Sequence, residues 1–149
     1  MGSLSTVSSS TVFPANPTEE KHCPLSPFDL QLAQASYTQK VLFFQQQVAN
    51  NSHQVTIERL KWSLAEVLVY FYPFAGRLVE SPDGFLNIEC NDEGAQFIEA
   101  VADATLDQII LHKSPRYIQE LLFPLNHSMC ADGRSLPLLA VQVCDSKSP

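Results

Sequence analysis

The sequence has no long hydrophobic run. Its apolar stretches fall well short of the roughly 20 residues a membrane-crossing helix needs, so no spanning segment is expected. Positive charge is also scarce, with nine Lys and Arg against sixteen Asp and Glu and a formal net charge of −7. Nucleic-acid binders neutralise phosphates with a basic patch, and none is visible. The balance leaves room for phosphate-bearing small ligands, which local groups can hold whatever the net charge. The four cysteines, Cys23, Cys90, Cys130 and Cys144, form no C-x-x-C pair and sit far apart, so no metal is assigned, with a disulfide or metal role as the alternative to free thiols. The N-terminus lacks a basic start followed by an apolar run, so no secretory leader is expected. The cysteines then read as reduced thiols of a cytoplasmic protein. No glycine-rich phosphate loop occurs, and Ser26 lies in no G-x-S-x-G.

Two N-terminal patterns are weak for physical reasons. Met1-Gly2 with Thr6 fits the loose myristoylation pattern, but no basic cluster follows to supply a second anchoring signal. The run Ser8-Ser9-Ser10-Thr11 is hydroxyl-rich like a transit peptide, yet the first twenty residues hold no Lys or Arg. Asn50-Asn51-Ser52 and Asn126-His127-Ser128 fit glycosylation acceptors, which carry meaning only in a secreted chain.

What is present is a globular composition, 45% apolar and 17% charged over 149 residues, which suits one domain. Thr11-Val12-Phe13 reads as a strand closed by Pro14 and Pro17. The stretch 19–27 reads as a loop. Ser26 is placed to cap a short helix whose first position is Pro27, where a missing N–H costs nothing. Residues 37–44 are aromatic and β-branched and end in continuous apolar sequence, which predicts a strand that becomes fully buried. Ile57, Leu60, Leu64, Val67, Leu68 and Phe71 recur every three or four residues. They define one long amphipathic helix with a core-facing stripe, capped by Thr56 and ended by Pro73.

Asp83-Gly84 then marks a hairpin turn between strands at 77–79 and 85–88. Further strands are expected at 95–101 and 137–143, with short helices at 107–111 and 117–122. The order predicts an α+β (mixed α/β) domain. The last strand is apolar with few partners after it, so an open sheet edge, and self-association through it, is expected.

Four segments together resemble the BAHD acyltransferases of plants. They are Leu25-Ser26-Pro27-Phe28-Asp29-Leu30 (L-S-x-x-D), Tyr72-Pro73-Phe74-Ala75-Gly76-Arg77-Leu78 (Y-P-x-A-G-R-L), Asp83-Gly84 through Cys90-Asn91-Asp92-Glu93-Gly94-Ala95, and Leu136 to Val143 (P-L-L-x-x-Q-V). The resemblance runs in order from about residue 5 to residue 143. It implies an incomplete chloramphenicol acetyltransferase-like domain. Residues 1–149 would form part of an N-terminal domain, with about 144–149 outside the family pattern. It also implies acyl transfer from an acyl-coenzyme A co-substrate to a small-molecule alcohol or amine acceptor, with no bound cofactor. The shared motifs are mostly architectural: Gly76 and Gly84 suit turns, and the Arg77 guanidinium suits tying carbonyls where helix hands over to strand.

The family's chemistry rests on a histidine in H-x-x-x-D acting as general base. The residues four after His22, His53, His112 and His127 are Ser26, Ile57, Arg116 and Ala131, so none fits, and D-F-G-W-G is also absent. No catalytic residue is therefore assigned. His127, with Asp132 five residues on, is the nearest imitation, and the extra residue turns the carboxylate away. It reads as a solvated loop histidine. A Cys–His pair of His127 with Cys130 or Cys144 is a further alternative, because partners meet in space. By resemblance Tyr37 and Thr38 are candidate acceptor contacts, set against ordinary strand packing. The chain is expected to have no turnover alone; a non-catalytic binding module or a truncated gene product are the alternatives.

Overall fold

The computed structural model describes residues 3–44, 53–111 and 115–146, the side chains of 115–117 excepted. Among these residues the elements are β1 (Leu4–Val12), β2 (His22–Pro24), α1 (Pro27–Leu32), α2 (His53–Tyr70), β3 (Arg77–Glu80), β4 (Leu86–Glu89), β5 (Ala95–Ala102), α3 (Leu106–Leu111), α4 (Pro115–Leu122) and β6 (Ala140–Ser146). Short 3-10 turns occupy Tyr72–Ala75 and Cys130–Arg134. Met1, Gly2, the acceptor pattern at 50–52 and His112 lie outside the described residues.

The strands form two three-stranded sheets, ordered β1-β5-β6 and β2-β4-β3. β5 pairs antiparallel with β1 and parallel with β6, so the main sheet is mixed, in keeping with the mixed α/β expectation. The Ser8–Thr11 run lies inside β1, in register with Gln96 to Glu99 of β5.

β5 is buried on both faces, because helices cover both. On one face Phe97 packs with Val12, Ile57 and Leu68 under α2. On the other, Ala102 and Ala104 pack with Ile109 of α3 and Leu121 and Leu122 of α4. Phe97, Ile57 and Leu68 are almost wholly enclosed. Each such side chain stabilises the fold by about 1.5–3 kcal/mol through burial alone.

Local chemistry sets the ends of several elements. The Ser26 hydroxyl caps α1 and the Asp29 carboxylate reaches back to the Ser26 N–H, a reciprocal capping box. The β3–β4 hairpin turns at Gly84, whose φ of +84° is disfavoured for other residues. Gly94 (φ +86°) passes so close to β1 that a Cβ there would lie 2.6 Å from the Val12 carbonyl oxygen.

The structure corrects several expectations. Residues 37–44 form no strand; among the described residues the nearest ladder contact is the isolated bridge Ser36↔Met129. Leu42 and Phe44 are exposed rather than buried, because no strand among the described residues pairs with them. Strand propensity measures fit to a half-buried surface, and here that surface is missing. Thr56 is inside α2, which already runs from His53, so it is not the cap. The loop at 19–27 contains the three-residue strand β2, paired with β4. The final strand is shifted, running from Ala140 to Ser146. The α2 stripe is present but half-covered: Ile57 and Leu68 are buried, while Leu60, Val67 and Phe71 stay exposed.

Candidate functional site

Arg77 is the best-connected charged side chain of the family-like motifs. Its Nη1 donates to the carbonyl oxygens of Gly76 (2.8 Å) and Gly94 (3.0 Å), and its Nε lies 3.2 Å from a Glu93 carboxylate oxygen. The guanidinium thereby joins the start of β3 to the turn before β5. A Cβ on Gly76 would collide with the Glu89 backbone, so this junction also needs glycine. Arg77 is thus an architectural tie, as its sequence position suggested.

Beside it lies a cleft of about 260 Å³, lined by Ser9, Ser10 and Thr11 of β1, Gly94, Ala95 and Gln96 at the start of β5, Leu136, Pro137 and Arg77. Tyr37 does not line it; the Tyr37 hydroxyl donates to the carbonyl of Pro137, which does, at 3.1 Å. Burial pushes the Tyr37 phenol above its ordinary range, with Cys130 and Asp132 adding to the rise. It therefore stays neutral and serves as a hydrogen-bond donor. Thr38 is exposed. Of the two candidate acceptor contacts, neither lines the cleft; Tyr37 is half-buried and bonded to Pro137, and Thr38 is on the surface.

His127 sits exposed in the turn after α4. Asp132 does not orient it: the Asp132 carboxylate accepts the Met129 N–H at 2.8 Å and closes its own turn. The Cys130 thiol donates to Ser36 O and the Cys144 thiol to Asp145 O. All four cysteines are free, and burial raises the thiols of Cys90 and Cys144, which disfavours the reactive thiolate. Among the described residues no group of three or more His, Cys, Asp and Glu could hold a metal, and no helix is long and apolar enough to cross a membrane.

Two polar contacts were not read from the sequence. Lys61 of α2 lies 2.8 Å from Glu99 of β5, which also accepts the Ser8 hydroxyl at 2.7 Å. Lys61 sits 5.1 Å from the Phe97 ring centroid, so this cation also meets an aromatic face. His53 Nδ1 lies 2.9 Å from a carboxylate oxygen of Asp145, with both side chains about half exposed. These residues are 38 to 92 positions apart in the chain, and no local spacing could announce them.

The chain matches a family model described as "Transferase family" over residues 3–148. It is 37% identical over 137 residues to (Z)-3-hexen-1-ol acetyltransferase of Arabidopsis thaliana and 38% identical over 135 residues to 13-hydroxylupanine O-tigloyltransferase of Lupinus albus. Each match covers 89% of this chain but only 29% of the relative. Among solved structures, vinorine synthase shares the fold, with a TM-score of 0.60 and 22% identity over 97% of this chain and 35% of that one. The chain therefore belongs to this transferase family and carries an N-terminal segment of the BAHD-type, chloramphenicol acetyltransferase-like fold.

Proposed function

We propose that this chain is the N-terminal architectural part of an acyltransferase. The full reaction moves an acyl group from a coenzyme A thioester to a hydroxyl or amine of a small acceptor, in the cytoplasm of a plant cell. The observation that carries this reading is the ordered set of four motifs, supported by relatives that are themselves named as acetyl-, tigloyl- and alcohol acyltransferases.

What the side chains here do is hold shape. Arg77 ties the helix-to-strand junction, Gly94 allows β1 and the β5 turn to touch, and Tyr37 pins residues 36–38 against Pro137. A thioester-cleaving site needs a base aligned on the acceptor proton and donors aimed at the developing oxyanion. The cleft beside Arg77 contains hydroxyls and an engaged guanidinium, and among the described residues no imidazole lines it. The chain by itself is therefore expected to bind acceptors weakly and to turn nothing over.

An assay of free thiol release from acetyl- and hydroxycinnamoyl-coenzyme A, with (Z)-3-hexen-1-ol and an aliphatic amine as acceptors, tests this. The expected result is release at the uncatalysed rate. Catalytic release that His127→Ala abolishes would overturn it.

A further inference from the structure

Two aspartates in the chain precede a glycine, in Asp83-Gly84 and Asp132-Gly133. An Asp-Gly linkage is chemically prone to close on itself. Glycine has no Cβ to hinder the approach of its nitrogen to the aspartate Cγ, and its backbone reaches conformations that other residues avoid. Whether the closure happens depends on how firmly the fold holds the pair. The structure holds these two pairs in opposite ways.

Asp132 is locked. Its carboxylate accepts the Met129 N–H at 2.8 Å, and its carbonyl accepts the N–H groups of Ser135 and Leu136, both at 2.9 Å. Gly133 is buried, and even a Cβ there would collide with the Leu138 side chain, so its backbone has no room to swing. Asp83 and Gly84 are instead both exposed, at the tip of the β3–β4 hairpin. Nothing lies within 4 Å of a Cβ built on Gly84. Among the described residues the Asp83 carboxylate has one contact, the Phe85 N–H at 3.4 Å, which is long for a hydrogen bond. The Gly84 N–H donates to the Ser81 carbonyl at 2.8 Å. Opening the turn releases that bond and moves no buried side chain, since none of residues 81–85 is buried.

We propose that Asp83 is a site of spontaneous isoaspartate formation and that the fold protects Asp132 from the same reaction. The Gly84 nitrogen attacks Cγ of the Asp83 carboxyl in its protonated form. The N–Cγ bond forms, and the amide proton leaves with the carboxyl hydroxyl as water, closing a cyclic succinimide. Water then adds back to the ring. Addition at Cγ restores aspartate. Addition at the main-chain carbonyl carbon breaks its bond to the Gly84 nitrogen and leaves the chain running through Cγ. The net change is an isomerisation, with no oxidant or other co-reactant. The product has an extra methylene in the main chain and a free α-carboxylate beside it. That carboxylate is the chemical group a repair-type carboxyl methyltransferase acts on, so the partner this site fits is such an enzyme, with S-adenosylmethionine as methyl donor. The methylene enters the turn that sets the Glu80↔Leu86 register, and β4 is the central strand of its sheet. This inference rests on the two Asp-Gly turns and is independent of the acyl-transfer reading.

Prolonged incubation of the native chain at neutral pH tests it. Isoaspartate is counted by methyl transfer from labelled S-adenosylmethionine with an isoaspartyl methyltransferase. It is located by electron-transfer fragmentation of the peptides, which distinguishes the two linkages. The product is expected at Asp83 about tenfold faster than at Asp132, or more. In guanidinium chloride the two sites should come within about twofold of each other, because only the fold separates them. Asp83→Glu lengthens an exposed side chain and makes the ring slower to close, so methyl acceptance by the native chain should fall. Equal rates at the two sites in the native chain, or unchanged acceptance in Asp83→Glu, would each overturn the proposal. So would a tenfold difference that persists in denaturant, since the fold would then not be its cause.

Discussion

The two halves of the α2 apolar stripe differ sharply in their surroundings. Ile57 and Leu68 lie against Phe97 and Val12, with 0% and 1% exposure. Leu60 and Val67 belong to the same helical periodicity, yet each keeps more than 40% of its surface in solvent. Residues 41–44 repeat the lesson, since Leu42 and Phe44 are apolar and stand exposed. Periodicity reports which surface favours burial. Whether something covers it depends on the rest of the sheet, which a helical pattern does not encode.

The comparison can be broken by substitution. The largest effect is expected at Phe97→Ala, which empties the space under α2 and should cost about 3–5 kcal/mol in urea unfolding. Leu68→Ala should follow at about 2–5 kcal/mol. Arg77→Ala strips two carbonyls and Glu93 of their donor and should cost about 2 kcal/mol, with Arg77→Lys restoring less than half, because an ammonium cannot span the same fork.

A smaller effect concerns pH. The hydrogen bonds from Lys61 and Ser8 hold the Glu99 carboxyl below its ordinary value. A depressed carboxylate stabilises the fold above its unfolded value of about 4.5 and loses that contribution as pH falls through the lower folded value. Lys61→Met should therefore flatten the acid limb of the stability profile and lower the plateau above it, read as urea midpoints against pH. The smallest effect is expected at Val67→Ala, within about 0.5 kcal/mol in urea unfolding, although it is the chain neighbour of Leu68.

Much of the fold was legible where local chemistry decides. Ser26-Pro27 with Asp29 announced α1, Asp83-Gly84 announced the β3–β4 turn, and the Leu-rich spacing announced α2. β1 was read too short, because its middle is serine and its pairing comes from β5 rather than from its own apolar pattern. Residues 37–44 were read as a strand because propensity is local, while a strand also requires a neighbour with free hydrogen-bonding groups. At the site, the Asp132 carboxylate accepts the Met129 N–H and closes its own turn, a local bond that spacing from His127 does not report. The Lys61–Glu99 and His53–Asp145 contacts were invisible, because only the folded register brings those positions together.

The sharpest contrast among the described residues lies between β5, covered on both faces, and residues 41–44, exposed to solvent. Hydrogen exchange read by mass spectrometry tests it in one experiment. Peptides from β5, paired on both sides and covered by helices on both faces, should stay protected for hours. Peptides spanning 38–44 should exchange within seconds. Equal protection in the two regions would contradict this contrast, because residues 38–44 would then be sheltered by backbone partners.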